Sequence, residues 1–203
     1  MKFLMMAALA VLGLSASARA MDGMAAEVGK PAPDFSAKDI MGVDVKLSYL
    51  KGRVVVLEWT NHECPYVRKQ YDSGNMQALQ KEMTDKGVVW VSVVSSAQGK
   101  EGYTTPEEAN SIVEQQGAHP THKILDTDGV IGHLYGAKTT PHMFVIDKDS
   151  VLAYAGAIDS DSSFKPDSIA TAKNYVRAAI DDLMAGRPVE TASTNSYGCG
   201  VKY

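Results

Sequence analysis

Two cysteines, Cys64 and Cys199, are the side chains of this 203-residue chain best suited to covalent chemistry. Cys64 stands in the run Asn61-His62-Glu63-Cys64-Pro65-Tyr66-Val67, between an apolar, β-branched stretch at 54–59 and a helical pattern over 65–86. Proline suits a first helical position, because the N–H it lacks would have had no intrahelical partner, so Cys64 is expected at the helix cap. A thiol there faces unpaired N–H groups and the positive end of the helix dipole, both of which favour thiolate. A lone cysteine is often an apolar filler, yet a filler belongs on the strand or the inner helix face, and this one occupies the connection. Cys64 therefore reads as a nucleophile or a ligand. A sulfur enclosed in the apolar interior would remove that reading.

The neighbours leave several roles open. His62 reads either as an imidazolium that lowers the Cys64 pKa or as a solvated loop residue. Glu63 opposes thiolate formation unless it turns away, and reads as a surface acid or a proton relay. Asn61 is either a donor to the sulfur or a turn residue. Metal binding is the competing chemistry: His62, Cys64 and His142, with Cys199 arriving from the C-terminal segment, offer the sulfur and imidazole that suit copper. His119 and His122 flank Pro120 and read as loop histidines.

These residues need a frame and an address. Residues 1–20 carry Lys2, an apolar run over 3–14 too short to span a bilayer, and the small-residue site Ala18-Arg19-Ala20. They read as a cleaved secretory signal, with an uncleaved anchor as the alternative, which places the mature chain in a secreted or periplasmic setting. Losing Lys2 and Arg19 moves the formal charge from −4 to −6. A mildly acidic domain without basic clusters is a poor partner for nucleic acid or anionic membrane, and no later stretch is long enough to span a bilayer. Two cysteines in an exported chain favour a disulfide at some point. Lying 135 residues apart, they would stabilise by about 5 kcal/mol as a permanent staple on the loop-entropy model. That figure does not separate a staple from a reactive pair.

Residues 21–33 read as a leader punctuated by Gly29, Pro31 and Pro33. Residues 34–186 read as one domain. It opens with an N-terminal β-hairpin around Met41-Gly42 and continues to the strand at 54–59 and the cysteine-capped helix, which Ser73-Gly74-Asn75 interrupts. A second buried strand at 87–95 implies a parallel crossover. Thr105-Pro106-Glu107-Glu108 is a capping box opening a helix to about Gln116, expected on the sheet. Strands at 123–125, 142–146 and 151–157 follow, the last two joined by the turn Asp147-Lys148-Asp149-Ser150. Ile169, Ala172, Val176, Ile180 and Leu183 give a helix from Ser168 to Gly186. Residues 187–203, rich in Ser, Thr, Gly and Asn, read as a mobile tail carrying Cys199.

With these pieces placed, residues 29–186 resemble the redoxin branch of the thioredoxin superfamily, in particular secreted peroxiredoxin-like proteins of the alkyl hydroperoxide reductase/thiol-specific antioxidant type. The resemblance rests on Gly29-Lys30-Pro31-Ala32-Pro33-Asp34-Phe35, on 46–57, and on 126–147 with Tyr135-Gly136 before Thr140-Pro141. It implies an α/β, thioredoxin-like fold: a central mixed sheet with helices on both faces. It also implies a cis Thr140–Pro141 bond opposite Cys64, with Thr140 and Pro141 offering backbone to an incoming substrate strand.

The departures shape the expected chemistry. Cys64-Pro65-Tyr66-Val67 keeps only the first cysteine of the thioredoxins' Cys-x-x-Cys. Asn61 stands where peroxiredoxins carry Thr or Ser, and no arginine lies between Arg68 and Arg177 to charge a peroxide. Peroxide reduction is thus expected to be weak. Relatives that deliver copper carry Cys-x-x-x-Cys, where this chain has Arg68. The favoured expectation is an exported thiol–disulfide oxidoreductase without a cofactor, with Cys64 as nucleophile and Cys199 as resolving cysteine. Its partners would be protein or small-molecule thiols and disulfides, served by an upstream reductase. An extended tail reaches about 43 Å, so distance is no obstacle.

Overall fold

The computed structural model describes residues 25–203. The signal segment, residues 1–20, and the first four leader residues lie outside the described residues. Among those described, no helix is long and apolar enough to cross a membrane.

The chain opens with a two-stranded antiparallel hairpin, β1 (Ser36–Lys38) and β2 (Asp44–Lys46), whose turn is closed by the Asp39 carboxylate accepting from the Met41 and Val43 amides. Next come β3 (Val55–Trp59), α1 (Pro65–Asp72), α2 (Asn75–Asp85), β4 (Val89–Val94) and α3 (Pro106–Gln116). Then follow β5 (His122–Leu125), α4 (Val130–Tyr135), β6 (Thr139–Thr140), β7 (His142–Ile146), β8 (Leu152–Gly156), α5 (Tyr175–Met184) and β9 (Cys199–Gly200). The central sheet runs β5-β4-β3-β7-β8, parallel on one side of β3 and antiparallel on the other. This is a thioredoxin-like mixed sheet, with β3, the strand that leads to Cys64, at its centre.

β3 and β4 are buried on both faces, as strands between two layers must be. Val56, Trp90, Met143 and Val145 pack beneath α1, α2 and α5, whereas Val55, Leu57, Trp59 and Phe144 pack under the hairpin and α4. Fully burying a side chain of this size contributes roughly 1.5–3 kcal/mol. The break between α1 and α2 is forced at Gly74, whose φ of +76° belongs to the left-handed region that glycine enters freely.

Three expectations meet a different structure. The capping box on α3 forms as read, but the helix buries only Ala109 and lies on the periphery of the fold. The last helix starts at Tyr175 rather than Ser168, because the Asn174 side chain accepts from the Arg177 amide and caps it; residues Pro166–Ala170 wind as a separate 3-10 turn. Residues 187–203, expected to be a mobile tail, are laid along the body. Backbone and side chains both seat them: the Thr194 amide donates to the Ala155 carbonyl, the Val201 amide to the Lys138 carbonyl and the Ala97 amide to the Lys202 carbonyl, while Thr194 Oγ1 accepts from the Ala157 amide, the Tyr197 hydroxyl donates to Asp159, and the Tyr203 hydroxyl donates to the Ala137 carbonyl at 2.9 Å.

Candidate functional site

Cys64 is the N-cap residue of α1, in extended conformation (φ −71°, ψ 125°), with Pro65 at the first helical position. The loop before it is braced from two directions. The Asn61 carbonyl accepts from the Cys64 amide and its side-chain oxygen accepts from the Glu63 amide, while its side-chain nitrogen donates to Glu101. Glu63 in turn accepts from the Gly102 amide at 2.6 Å. A Cβ at Gly102 would run into the Asn61 side chain, so glycine is required for this close approach. Asn61 is thus the turn residue, and the Glu63 carboxylate is spent on the neighbouring loop.

The second sulfur arrives by strand pairing. β9 lies antiparallel to β6 with Cys199 opposite Thr140, the residue whose bond to Pro141 is cis. Cys64 Sγ consequently sits 2.7 Å from Cys199 Sγ and 3.1 Å from the Thr140 carbonyl oxygen, both cysteines being free thiols. The neutral Cys64 thiol donates to that carbonyl. Once Cys64 ionises, the Cys199 thiol holds the proton for an S–H···S⁻ bond.

Cys64 is 0 % exposed and belongs to the apolar cluster under α1, a correction to the accessible cap expected from the sequence; the nucleophile reading survives only because the sulfur is not enclosed by apolar groups alone but lies against Cys199 Sγ and the Thr140 carbonyl. The burial comes from the tail: Cys199, itself only partly buried, packs against that cluster and covers the sulfur. Burial alone would push the Cys64 thiol up. The polar surroundings, Cys199 first, then Thr140 and the nearby Val67 and Cys199 amides, outweigh it and hold the thiol below its ordinary value. The Thr140 hydroxyl, buried and otherwise unpartnered, is well suited to this task. Cys199 moves the opposite way, raised by burial, by its bond to Cys64, and by the negative charge of Cys64 and Glu101. The pair therefore has a sulfur that ionises first and one that keeps its proton.

The histidines stay apart from this pair. His62 is half-buried, and burial first, with the charge of Lys123, outweighs the opposing carboxylates of Glu63 and Glu108 and holds its pKa below the usual range, so it is not a standing imidazolium beside the sulfur. His142 faces Trp59 across β3 and β7, on the other side of the sheet from Met143 and Cys64. It is 8 % exposed, stacks near Phe144, accepts from the Lys138 amide through Nδ1, and is pulled down to about 4 by burial, then Lys138. His62, Cys64 and His142 thus do not converge. Among the described residues no group of three or more His, Cys, Asp or Glu side chains could hold a metal ion.

The structure adds residues that sequence reasoning missed. Glu58, fully buried in β3, accepts from Trp90, Ser92, Gln80 and Tyr71, and burial raises its pKa despite these four donors. Its signal was present: one carboxylate inside the apolar run 54–59. Lys69 and Asp159 form a buried pair, 0 % and 3 % exposed at the side chain, at 3.7 Å. No local pattern could have joined them across 90 residues.

The model of the AhpC/TSA family matches residues 28–155, more than half of the chain. The chain belongs to that family. It is a redoxin of the thioredoxin superfamily, an oxidoreductase by membership; Cys199 and its tail lie beyond the matched stretch. Among solved structures, it is similar to an uncharacterized conserved protein from Geobacillus kaustophilus at 27 % identity and a TM-score of 0.73, covering 87 % of this chain and 92 % of that one. It is also similar to a hypothetical protein from Sinorhizobium meliloti 1021, at 22 % identity and a TM-score of 0.74 over 89 % and 96 % of the two chains, which speaks for the fold alone. A candidate thiol:disulfide interchange protein DsbE from Chlorobium tepidum matches at 27 % identity and a TM-score of 0.53, over 64 % of this chain and 85 % of that one. No curated protein gives a significant match.

Proposed function

We propose that this redoxin is an extracytoplasmic thiol–disulfide oxidoreductase in which Cys64 is the nucleophile and Cys199 the resolving thiol. The observation that carries the reading is the 2.7 Å approach of two free sulfurs whose pKa values are displaced in opposite directions. The similarity to the DsbE protein of Chlorobium tepidum supports the same chemistry. The composition of residues 1–20 supports export.

The Cys64 thiolate attacks one sulfur of a partner disulfide, forming a mixed disulfide and releasing the partner's other sulfur as thiolate. The Cys199 thiolate then attacks Cys64 Sγ, forming Cys64–Cys199 and releasing the partner's second sulfur. Two electrons pass from the cysteine pair to the partner, and the two thiol protons go to the sulfurs released. A dithiol reductant returns the pair to its starting state; run backwards, the same steps oxidise a partner dithiol. Peroxide reduction is the weaker use of this site. Arg68 and Arg177, the arginines bracketing the gap, are engaged by Asp72 and Glu82, so the charge a peroxide needs is not supplied.

Cys199→Ser should accumulate partner proteins and glutathione as mixed disulfides on Cys64, readable by mass under non-reducing conditions. An empty Cys64 in that variant would overturn the cycle. A Cys64–Cys199 potential between about −270 and −120 mV marks a working pair, and one below about −300 mV a staple.

A further inference from the structure

The tail does more than bring a sulfur: it lies as a strand along β6, beside Cys64. β9 occupies the edge of β6, so the Thr140 backbone is already paired. Two features around Cys199 go beyond simple coverage. At Gly198, with φ at +134°, a Cβ would overlap the Thr140 carbonyl oxygen, so this position next to the cysteine admits only glycine. Before it, the Tyr197 phenol donates to Asp159, and its ring lies 5.7 Å from the Lys69 ammonium and 6.0 Å from the Tyr66 ring. Asp159 is fixed for this contact, since Gln70 donates to its second oxygen at 2.7 Å. The buried Lys69–Asp159 pair also holds the Asp161 backbone, through its carbonyl and its amide, and presents one carboxylate oxygen to the Tyr197 hydroxyl, more than a segment needed only as a lid requires.

Resting on the exchange reading above, we infer that residues 197–199 are a tethered copy of the substrate: the groove between Asp159 and Thr140 recognises an extended polypeptide with a phenol, a glycine and a cysteine in succession. The strand edge supplies affinity through backbone bonds, and Asp159 and the Thr140 carbonyl supply the choice of side chain. Tail and substrate exclude each other on the edge of β6. When Cys199 returns to resolve the mixed disulfide it also displaces the product strand, so resolution and release are one event. Because the tail is tethered, its effective concentration is high, and a foreign peptide enters only while the tail is out.

The test uses the full chain with Gly198→Ala, which expels the tail strand by steric overlap. The probe is a fluorescein-labelled hexapeptide, Ser-Tyr-Gly-Ser-Gly-Val, with serine replacing cysteine so that no covalent bond forms; comparison peptides carry Ala for Gly or Phe for Tyr. The reduced variant should bind the first peptide at least tenfold tighter than the Ala peptide and several-fold tighter than the Phe peptide. It should also be alkylated at Cys64 by iodoacetamide at least tenfold faster than the natural chain, which should bind the probes more weakly. Equal binding of the three peptides, or unchanged alkylation, overturns the inference. Tyr197→Ala, which frees the tail without touching the strand, must give the same ordering at smaller amplitude if the first variant folds poorly. Oxidised glutathione on the natural chain separates the two readings. If Cys64–Cys199 forms and exchanges while the peptides are not distinguished, only this inference falls; if it does not form, the exchange function falls.

Discussion

The two halves of the site are built in opposite ways. Cys64 is fixed mainly by a contiguous stretch, a central strand, a turn and the first turn of a helix within residues 55–72, with the turn braced from one neighbouring loop at Glu101 and Gly102. Cys199 is fixed by a segment far along the chain, held on distant parts of the body by short backbone pairings to Ala155, β6 and Ser96 and by single side chains, Thr194 at β8, Tyr197 at Asp159 and Tyr203 at α4. Segments held this way open locally, at a fraction of the free energy that unfolds the domain. The nucleophile is part of the fold, whereas the resolving sulfur is carried on a strap that can leave. The sharpest way to break the comparison is to remove each sulfur. Cys64→Ser should lower exchange with a peptide disulfide by at least about 1000-fold, a barrier increase of about 4 kcal/mol. Cys199→Ser should keep the first attack within a few-fold of normal and stop at the mixed disulfide. Stopped-flow single-turnover kinetics separates the two, and equal losses would make the halves equivalent.

If the body that holds Cys64 is one cooperative unit, changes anywhere in its core must appear in global unfolding. His142 is held neutral, with its pKa near 4 in the fold against about 6.5 unfolded. The unfolded chain therefore binds the proton first. Stability is complete above about pH 6.5 and falls as pH drops towards 4, by about 3 kcal/mol at 1.36 kcal/mol per unit. Glu58 and Asp126, whose pKa values are raised, shift stability in the other direction over the acid range. The comparison must therefore be made against His142→Asn, which keeps an acceptor for the Lys138 amide. Urea unfolding from pH 7 to 4 should show the extra acid loss in the natural chain only, and parallel curves would mean that His142 is not buried neutral. Glu58→Gln should cost about 2 kcal/mol at neutral pH, because its amide oxygen can accept from Ser92, Gln80 and Trp90 but its NH2 then faces the Tyr71 hydroxyl, which donates to the carboxylate in the natural chain. An unchanged urea midpoint would remove this network from the body's stability.

The same contrast governs what the sequence let one read. β3, the cap at Cys64, the interruption at Gly74, the Thr105 capping box and the hairpin at 142–156 all follow from residues a few positions apart, and each is where the pattern placed it. The start of α5 was misplaced because Ile169 and Ala172 fit the helical period by chance, while the signal that decided it was a single capping side chain, Asn174. The docked tail was illegible for a different reason. Its composition shows no period because it is held by short backbone pairings and by individual residues in notches shaped elsewhere. Gly132, within α4, is one such notch, where a Cβ would collide with the Tyr203 hydroxyl. Glycine in a helix costs roughly 1 kcal/mol against alanine, and here it makes room for an aromatic ring from the last residue of the chain.

Tyr203 offers the finest test of whether the tail opens as a separate unit. Its ring stacks on His133 at 4.0 Å and fits against Gly129 and Gly132, and its hydroxyl donates to the Ala137 carbonyl. Tyr203→Phe keeps the ring and deletes only that bond, a loss of about 1 kcal/mol. If the strap opens independently, the whole of that loss falls on the opening equilibrium. Since 1.4 kcal/mol is a factor of 10, the open fraction and the iodoacetamide reaction of reduced Cys64 should rise about fivefold. Global stability should fall by no more than the same amount, about 1 kcal/mol, because the closed form is the ground state from which both opening and unfolding are measured. A drop in the global midpoint with no change in alkylation would show the tail to be integral to the fold, and the contrast between the two halves of the site would go with it.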